Sequence, residues 1–478
     1  MKTKNENFKK DFLMVKDRVK SGPGIISFVL FVIAAFVIIG STNDESLINV
    51  RSVIGTALLV LLLYTLYIVL QSSIILGRLL NNRERYLIAA LISSYIIGSV
   101  LINNLSPGFE GFPVSLAIPT ALIIMIIAVF MGKRPAMLMA IALPLGAYFA
   151  GAFDNHSYII ALVSGATAST VLHKAQNRMS LIKAGLIIAA ANCIAVIAVL
   201  LLREANLYDY PALLFWAALN GIVCGMLTIG FLPPLEHALN AVTPFRLMEL
   251  SDLNAPILRK LFTTAPGTYT HSLMVANLAE QACQDIGANA LLARVGAYYH
   301  DVGKMDNPDY FVENQTDHNR HDEINPRLSA TIIRSHVKLG VEKASSLRLP
   351  KDVISIIGEH HGNSIISWFY NKATEKDETV SSEDFSYPGS PPRSKESAIV
   401  MLADITEAAV RTLNKPTATK IEKFIQQLFD AKIQHGQLSA SDLSFHELEI
   451  IKKSFVRVLA GYYHARIEYP KQQKEKDE

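Results

Sequence analysis

From Gly24 to about Leu232 the chain is a succession of long apolar runs separated by short polar loops. Beyond about Leu235 apolar residues recur at helical spacing among abundant charged ones. A run of roughly 20 apolar residues crosses a bilayer as a helix. Eight stretches approach that length, at about 24–40, 53–77, 86–103, 113–131, 135–152, 157–172, 184–202 and 211–232. The sixth, YIIALVSGATASTVL, is short and rich in small residues, which suits a helix packed closely among others. In the second half, segments from SLMVANLAEQACQDIG to SFHELEIIKKSFVRVLAGYYHARI carry the helical period, and no alternating strand pattern of any length appears. The expected fold class is all-α: a polytopic helical membrane domain followed by a soluble all-helical domain.

Charge supports that division. Half of the 478 residues are hydrophobic and 18% are charged, too apolar on average for a soluble enzyme. The formal net charge of +3 is too small to argue for a nucleic acid polymer as partner. With the N-terminus inside, the inner loops hold Arg78, Arg83, Arg85, Lys133, Arg134, Lys174, Arg178 and Lys183, with Glu84 their only acid. The outer loops hold Asp44, Glu45, Glu110, Asp154, Glu204 and Asp209, with Arg51 and Arg203 their only bases. That is the positive-inside pattern, and an even number of spans returns the soluble half to the cytoplasm of a plasma-membrane protein. The run IISFVLFVIAAFVIIG follows a Lys-rich start without a small-residue cleavage site, and reads as an uncleaved anchor. No charge sits at the centre of a span, which argues against a transporter with a proton or ion pathway. Cys193, Cys224 and Cys283 form no disulfide framework.

The expected organisation is a cytoplasmic tail at 1–23, the membrane domain at 24–232, coupling helices at 233–268, the soluble domain at 269–465 and a polar tail at 466–478. The coupling segment is interrupted at Pro244 and Pro256. The polar, Pro-rich stretch 373–395 reads as a mobile surface loop.

The chemistry lies in an ordered set of side chains. Of thirteen histidines, His271, His300, His336, His360 and His361 fall on or at the ends of expected helices, and Asp301 and Asp404 join them. Imidazole plus carboxylate without thiolate suits a first-row metal with open positions, such as Fe, Mn or Zn. Adjacent pairs, His300-Asp301 and His360-His361, point about 100° apart on a helix, so each can serve two neighbouring ions. A lone buried histidine is usually a hydrogen-bonded core residue, and the second His-Asp pair, His321-Asp322, shows how easily such a dipeptide arises. Asp404, however, is flanked by aliphatics in VMLADITEA, and a desolvated carboxylate there needs a cation.

The order H…HD…H…HH…D resembles the HD superfamily of metal-dependent phosphohydrolases. More narrowly, LMELSDLNAPILRKLFTTAPGTYTHSLMVANLAE, GANALLARVGAYYHDVGKM, FVENQ and GEHHG resemble the cytoplasmic domain of the seven-transmembrane HD family, which hydrolyses cyclic di-AMP. The resemblance covers most of residues 235–465 and implies a dinuclear site for two divalent transition-metal ions, Fe or Mn. His271, His300, Asp301 and Asp404 would hold one ion, His336, His360 and His361 the other, with Asp301 bridging. Such a pair, ~3.5–4 Å apart, generates hydroxide near neutrality and clamps a phosphodiester. Lys304 would bring an ammonium to the non-bridging oxygens, and Arg327 and His321 would line the substrate entrance. The implied activity is cleavage of cyclic di-AMP to linear pApA, in a lipid bilayer, with a homo-oligomer or a membrane partner protein as further possibilities.

Two departures from that family stand out. Only STNDESLINVRS separates the first two spans, where the family carries an extracellular domain, and Thr270 stands where relatives often have a second His. Other readings are an HD hydrolase of cyclic di-GMP or ppGpp, or a membrane receptor whose HD domain binds nucleotide without cutting it. HHGNSIISWFY lacks the extended motif of the HD-GYP type, and all seven ligand positions are filled.

Overall fold

The computed structural model describes residues 22–42, 50–70, 80–105, 114–172, 177–202, 210–316, 318–375, 379–413 and 417–464. The chain divides into two units between Phe245 and Arg246. In the first, the apolar stretches become α1 (Gly22–Thr42), α2 (Val50–Leu70), α3 (Asn82–Asn104), α4 (Thr120–Met131), α5 (Lys133–Phe149), α6 (Asn155–Val171), α7 (Met179–Leu202) and α8 (Tyr210–Leu239). Five of these, α1, α2, α3, α7 and α8, are long and apolar enough to cross a membrane. The helices formed by the fourth, fifth and sixth expected spans are shorter. Helix α4 has 12 residues and α5 and α6 have 17 each, or ~18 and ~25 Å of helix against ~30 Å of hydrocarbon. The cause is local: Pro119 precedes α4, and Gly132, at a φ of 87°, breaks α4 from α5.

The long helices turn large apolar side chains outward, Phe36 at 71% exposure, Leu58 at 62% and Ile194 at 69%, a surface that suits lipid. Helix α3 starts with a capping box, Asn81 and Glu84 each bonding the other's backbone N–H at 2.9 Å. Helix α8 continues through Pro233 and Pro234 to Leu239, so the start of the expected coupling segment is continuous with the last span. Of the expected inner-loop bases Arg78 and Lys174, and of the outer-loop charges Asp44, Glu45, Glu110, Arg203, Glu204 and Asp209, all lie outside the described residues.

Helices α7 and α8 approach through small residues. A Cβ on Gly221 would lie 2.4 Å from the Ala189 nitrogen, so the crossing requires glycine. Gly221→Ala is expected to cost ~2 kcal/mol or more through overpacking and to lower the melting temperature of the detergent-solubilised protein. An unchanged melting temperature would show that the two helices separate freely.

The remaining chain forms α9 (Pro244–Leu250), α10 (Pro256–Thr264), α11 (Pro266–Ile286), α12 (Ala290–Tyr299), α13 (Pro326–Ser346), α14 (Lys351–Glu359), α15 (Ser367–Thr374), α16 (Lys395–Val410), α17 (Ala418–Gln434) and α18 (Phe445–His464). Among the described residues no strand forms beyond a single bridge, Ile365 to Ser386. Prolines at the first turns of α10, α11 and α13 start helices without wasting a donor. Helix α16 is central: Ile399, Val400, Met401, Leu402 and Ala403 all have 0% exposure. Five consecutive buried residues cannot share one face, so neighbours cover the helix all round. Helix α11 packs on α12, α16 and α18, and α16 also meets α12, α14 and α17.

The stretch 373–395 corrects the sequence expectation. Residues 376–378 lie outside the described residues, but the rest is pinned rather than loose. Ile366 N–H donates to the Phe385 carbonyl at 2.9 Å and Tyr387 N–H to the Ser364 carbonyl at 3.0 Å. Phe385 is fully buried against Ala330, Phe369, Ala373 and Val380, a burial that stabilises the segment by about 2 kcal/mol. Polar composition hid a single aromatic anchor.

Candidate metal centre

Five elements deliver the seven expected residues to one place. His271 comes from α11, His300 and Asp301 follow α12, His336 lies on α13, His360 and His361 follow α14, and Asp404 is on α16. The sets His271, His300, Asp301, then His300, His360, Asp404, and His336, His360, His361 each bring their donor atoms within 4.8 Å of one another. Asp301, 1% exposed, lies between them. Its Oδ2 is 3.1 Å from His300 Nε2 and 3.8 Å from His271 Nε2, and its Oδ1 is 3.4 Å from His336 Nε2 and 3.7 Å from His360 Nε2. Asp404 Oδ1 is 3.0 Å from His271 Nε2, and its Oδ2 is 3.6 Å from His361 Nδ1.

The tautomers are set by backbone. His300, His336 and His360 each donate Nδ1–H to the carbonyl three residues earlier, at 2.7, 2.5 and 2.7 Å. Their Nε2 atoms therefore turn lone pairs inward. His336 and His360 place these two nitrogens 3.3 Å apart, an arrangement that repels unless a cation lies between or beside them. His300 Nε2 and both Asp301 oxygens are buried without a well-formed hydrogen bond, although buried polar groups are almost always satisfied. The donor set thus fits divalent metal.

The electrostatics agree. Burial pushes His336 down to about 4 and His360 to about 3, and drives His361 well below the usual histidine range, so all three are neutral at pH 7 and able to accept a cation. In His271, burial is outweighed by hydrogen bonds to Asp404 and Glu407, which raise it to about 10. A cation at Nε2 would displace that proton. Burial opposes the charge of Asp301, yet His300 and Lys304 hold it well below the carboxylate range.

Lys304 differs from expectation in its surroundings. Its Nζ lies 2.7 Å from Asp301 Oδ2 and 2.8 Å from Glu313 Oε1, and 4.9 Å from the Phe311 ring centroid. It lines the pocket while clamped between carboxylates. Arg327 and His321 are not brought to the site. Arg327 is exposed near Asp384, at 3.7 Å, and His321 Nε2 bonds the Tyr310 carbonyl at 2.7 Å beside Phe369.

Three contributors were not legible. Glu407 bonds His271 Nδ1 from one turn beyond Asp404. Glu313 lies within FVENQ, whose sequence carried no sign of its partner. Tyr387 stacks on His361, ring centroids 4.2 Å apart at 26°, from the stretch read as loop. Glu313 and Tyr387, with Phe311, Ile333, Ile405, Ala408 and Arg411, line an open pocket above the cluster.

The glycine of HDVGK has a steric reason. A Cβ on Gly303 would lie 1.9 Å from the His336 carbonyl oxygen and 2.7 Å from Gly340 N, so the turn Val302–Asp306 lies flush on α13. Gly303→Ala is expected to shift Asp301 from His336 and weaken metal affinity ~10-fold or more. Metal titration of the chelated variant checks this, and wild-type affinity would show that the turn can move without consequence.

A helical domain carrying these residues in this order around one carboxylate is an HD domain, here preceded by a polytopic membrane half. Residues 24–243 match the family described as 7TM receptor with intracellular HD hydrolase, and residues 268–409 match the HD domain. The chain thus joins a membrane half matching that receptor family to an HD domain. It is 38% identical over 398 residues to cyclic-di-AMP phosphodiesterase PgpH of Bacillus subtilis, covering 81% of this chain and 56% of that protein. It is 38% identical over 357 residues to the protein of the same name from Listeria monocytogenes, covering 74% and 50%. The chain therefore spans about half the length of these relatives. The crystal structure of the L. monocytogenes PgpH HD domain in complex with cyclic-di-AMP is 44% identical, with a TM-score of 0.43, covering 45% of this chain and 100% of that one.

Proposed function

We propose that this protein is a membrane-anchored phosphodiesterase that opens cyclic di-AMP to linear pApA. The observation that carries the reading is that His300 and His336, their Nδ1–H groups held by backbone carbonyls, turn Nε2 lone pairs toward the two oxygens of Asp301. The Bacillus and Listeria relatives, named as cyclic-di-AMP phosphodiesterases, suggest the substrate. His271, His300, Asp301 and Asp404 would hold one divalent ion, and His336, His360 and His361 a second, with Asp301 shared. Bound there, Fe or Mn supplies Lewis acidity to the phosphodiester and to the attacking water.

The protein's own groups do the rest. Lys304 keeps its charge despite burial because Asp301 and Glu313 raise its pKa above the ordinary lysine value, so it offers a fixed positive potential beneath the pocket. Glu313 holds that ammonium at 2.8 Å. Tyr387, stacked on His361, walls one side of the pocket with an aromatic face that suits a purine. Excess Lys and Arg in one set of loops supports a plasma-membrane protein with residues 269–465 facing the cytoplasm.

The test uses the full chain in detergent or nanodiscs with Mn or Fe. Cyclic di-AMP, cyclic di-GMP and ppGpp are offered in parallel and products identified by mass spectrometry. Conversion of cyclic di-AMP to pApA is expected, at least ~10-fold faster than any cut of the other two. A metal-loaded protein that cleaves none of them removes the proposal.

A further inference from the structure

We propose that the Arg411 guanidinium binds the phosphodiester of the cyclic dinucleotide that is not being cut. The inference rests on the reading of this site as a cyclic-dinucleotide phosphodiesterase. A cyclic dinucleotide carries two phosphodiesters, and a single metal centre addresses one of them at a time. The other enters the same pocket as an anion and needs its own positive partner.

The pocket lining contains two permanently cationic side chains, Lys304 and Arg411. Lys304 is committed to Asp301 and Glu313. Arg411 is not: among the described residues its guanidinium makes no hydrogen bond or ion pair, and the residue is exposed. Its natural helical partner would be Glu407, four residues earlier. That carboxylate is instead turned inward onto His271 Nδ1, which leaves the arginine without a partner while keeping the helix in place.

Position supports the same role. Asp404, Ala408 and Arg411 follow the i, i+4, i+7 stripe of α16 and its C-cap, and all three line the pocket. Arg411 therefore stands two turns, about 10 Å along the axis, above the metal-facing Asp404. A flexible arginine at that height reaches a ligand group at the mouth and not at the cluster floor. Its planar fork suits two oxygens of a phosphodiester, where an ammonium would offer a single point charge. The bland alternative is an arginine that merely complements the helix C-terminus.

Steady-state kinetics on the full chain with cyclic di-AMP separate the two. Arg411→Met is expected to raise KM about 10- to 100-fold, with kcat within about threefold, and Arg411→Lys is expected to recover part of the loss. Metal content and melting temperature are read alongside. A KM within twofold of wild type overturns the inference, as does a fall in kcat at unchanged KM. A KM rise accompanied by lost metal or a lowered melting temperature also overturns it, assigning Arg411 a structural role. Wild type that loads metal but leaves cyclic di-AMP uncut removes the underlying reading, and this inference with it. Wild type that cuts it with Arg411→Met unchanged removes this inference alone.

Discussion

Asp301→Ala is expected to abolish hydrolysis, lowering kcat/KM by about 10³-fold or more, and to reduce metal stoichiometry. The carboxylate faces four imidazoles at once. Oδ1 faces His336 and His360 and Oδ2 faces His271 and His300, whereas Asp404, which also reaches both sets, lies nearest His271 and His361. Its loss also strips Lys304 of one of two counter-charges, and uncompensated buried charge costs about 3–5 kcal/mol. Asp301→Asn separates these effects, because the amide keeps the shape while losing the charge. Elemental analysis and product mass spectrometry on both variants decide the matter. Full metal content with wild-type turnover in either one would dissolve the proposed bridge.

Glu407→Ala is expected to weaken metal binding about 10- to 100-fold, the range seen when a partner behind a ligating histidine is removed. Glu407 approaches Nδ1 of His271 while Nε2 faces Asp404. His271 has no backbone carbonyl at Nδ1 like those that orient His300, His336 and His360. This one carboxylate therefore does for His271 what the helix does for the others. Glu407→Gln keeps an acceptor for the Nδ1–H and should recover most of the affinity, whereas alanine should not. Titration of Mn into chelator-treated protein reads this directly, independent of turnover. Equal affinities for wild type and alanine would mean that packing alone orients the ring.

How far the site was legible follows from what each signal depends on. His300-Asp301 and His360-His361 were visible as dipeptides, and Asp404 betrayed itself by a charge within an aliphatic run. Each is a one-dimensional feature. Glu407, Glu313 and Tyr387 have no such mark. Glu407 looks like any exposed helix acid until α11 brings His271 to it from 136 positions away. Tyr387 was hidden by polar, Pro-rich neighbours, because one buried phenylalanine two residues earlier is enough to pin the strip. His321 failed in the opposite direction: its dipeptide resembled the functional one, but its ring closes against Tyr310 and Phe369.

By itself the sequence determined the two-part layout, the all-helical character and the six residues that gather around Asp301, since run length, helical period and ordered motif are local properties of the chain. Only the structure set the lengths of the fourth, fifth and sixth apolar helices at 12, 17 and 17 residues, with Pro119 at the start of α4 and Gly132 between α4 and α5. It also decided which imidazole nitrogens carry protons, that Lys304 is clamped, and that Arg411 is left unpaired. These depend on contacts between residues far apart in the chain, whose geometry is set by packing α11, α13, α14 and α16 around one buried carboxylate.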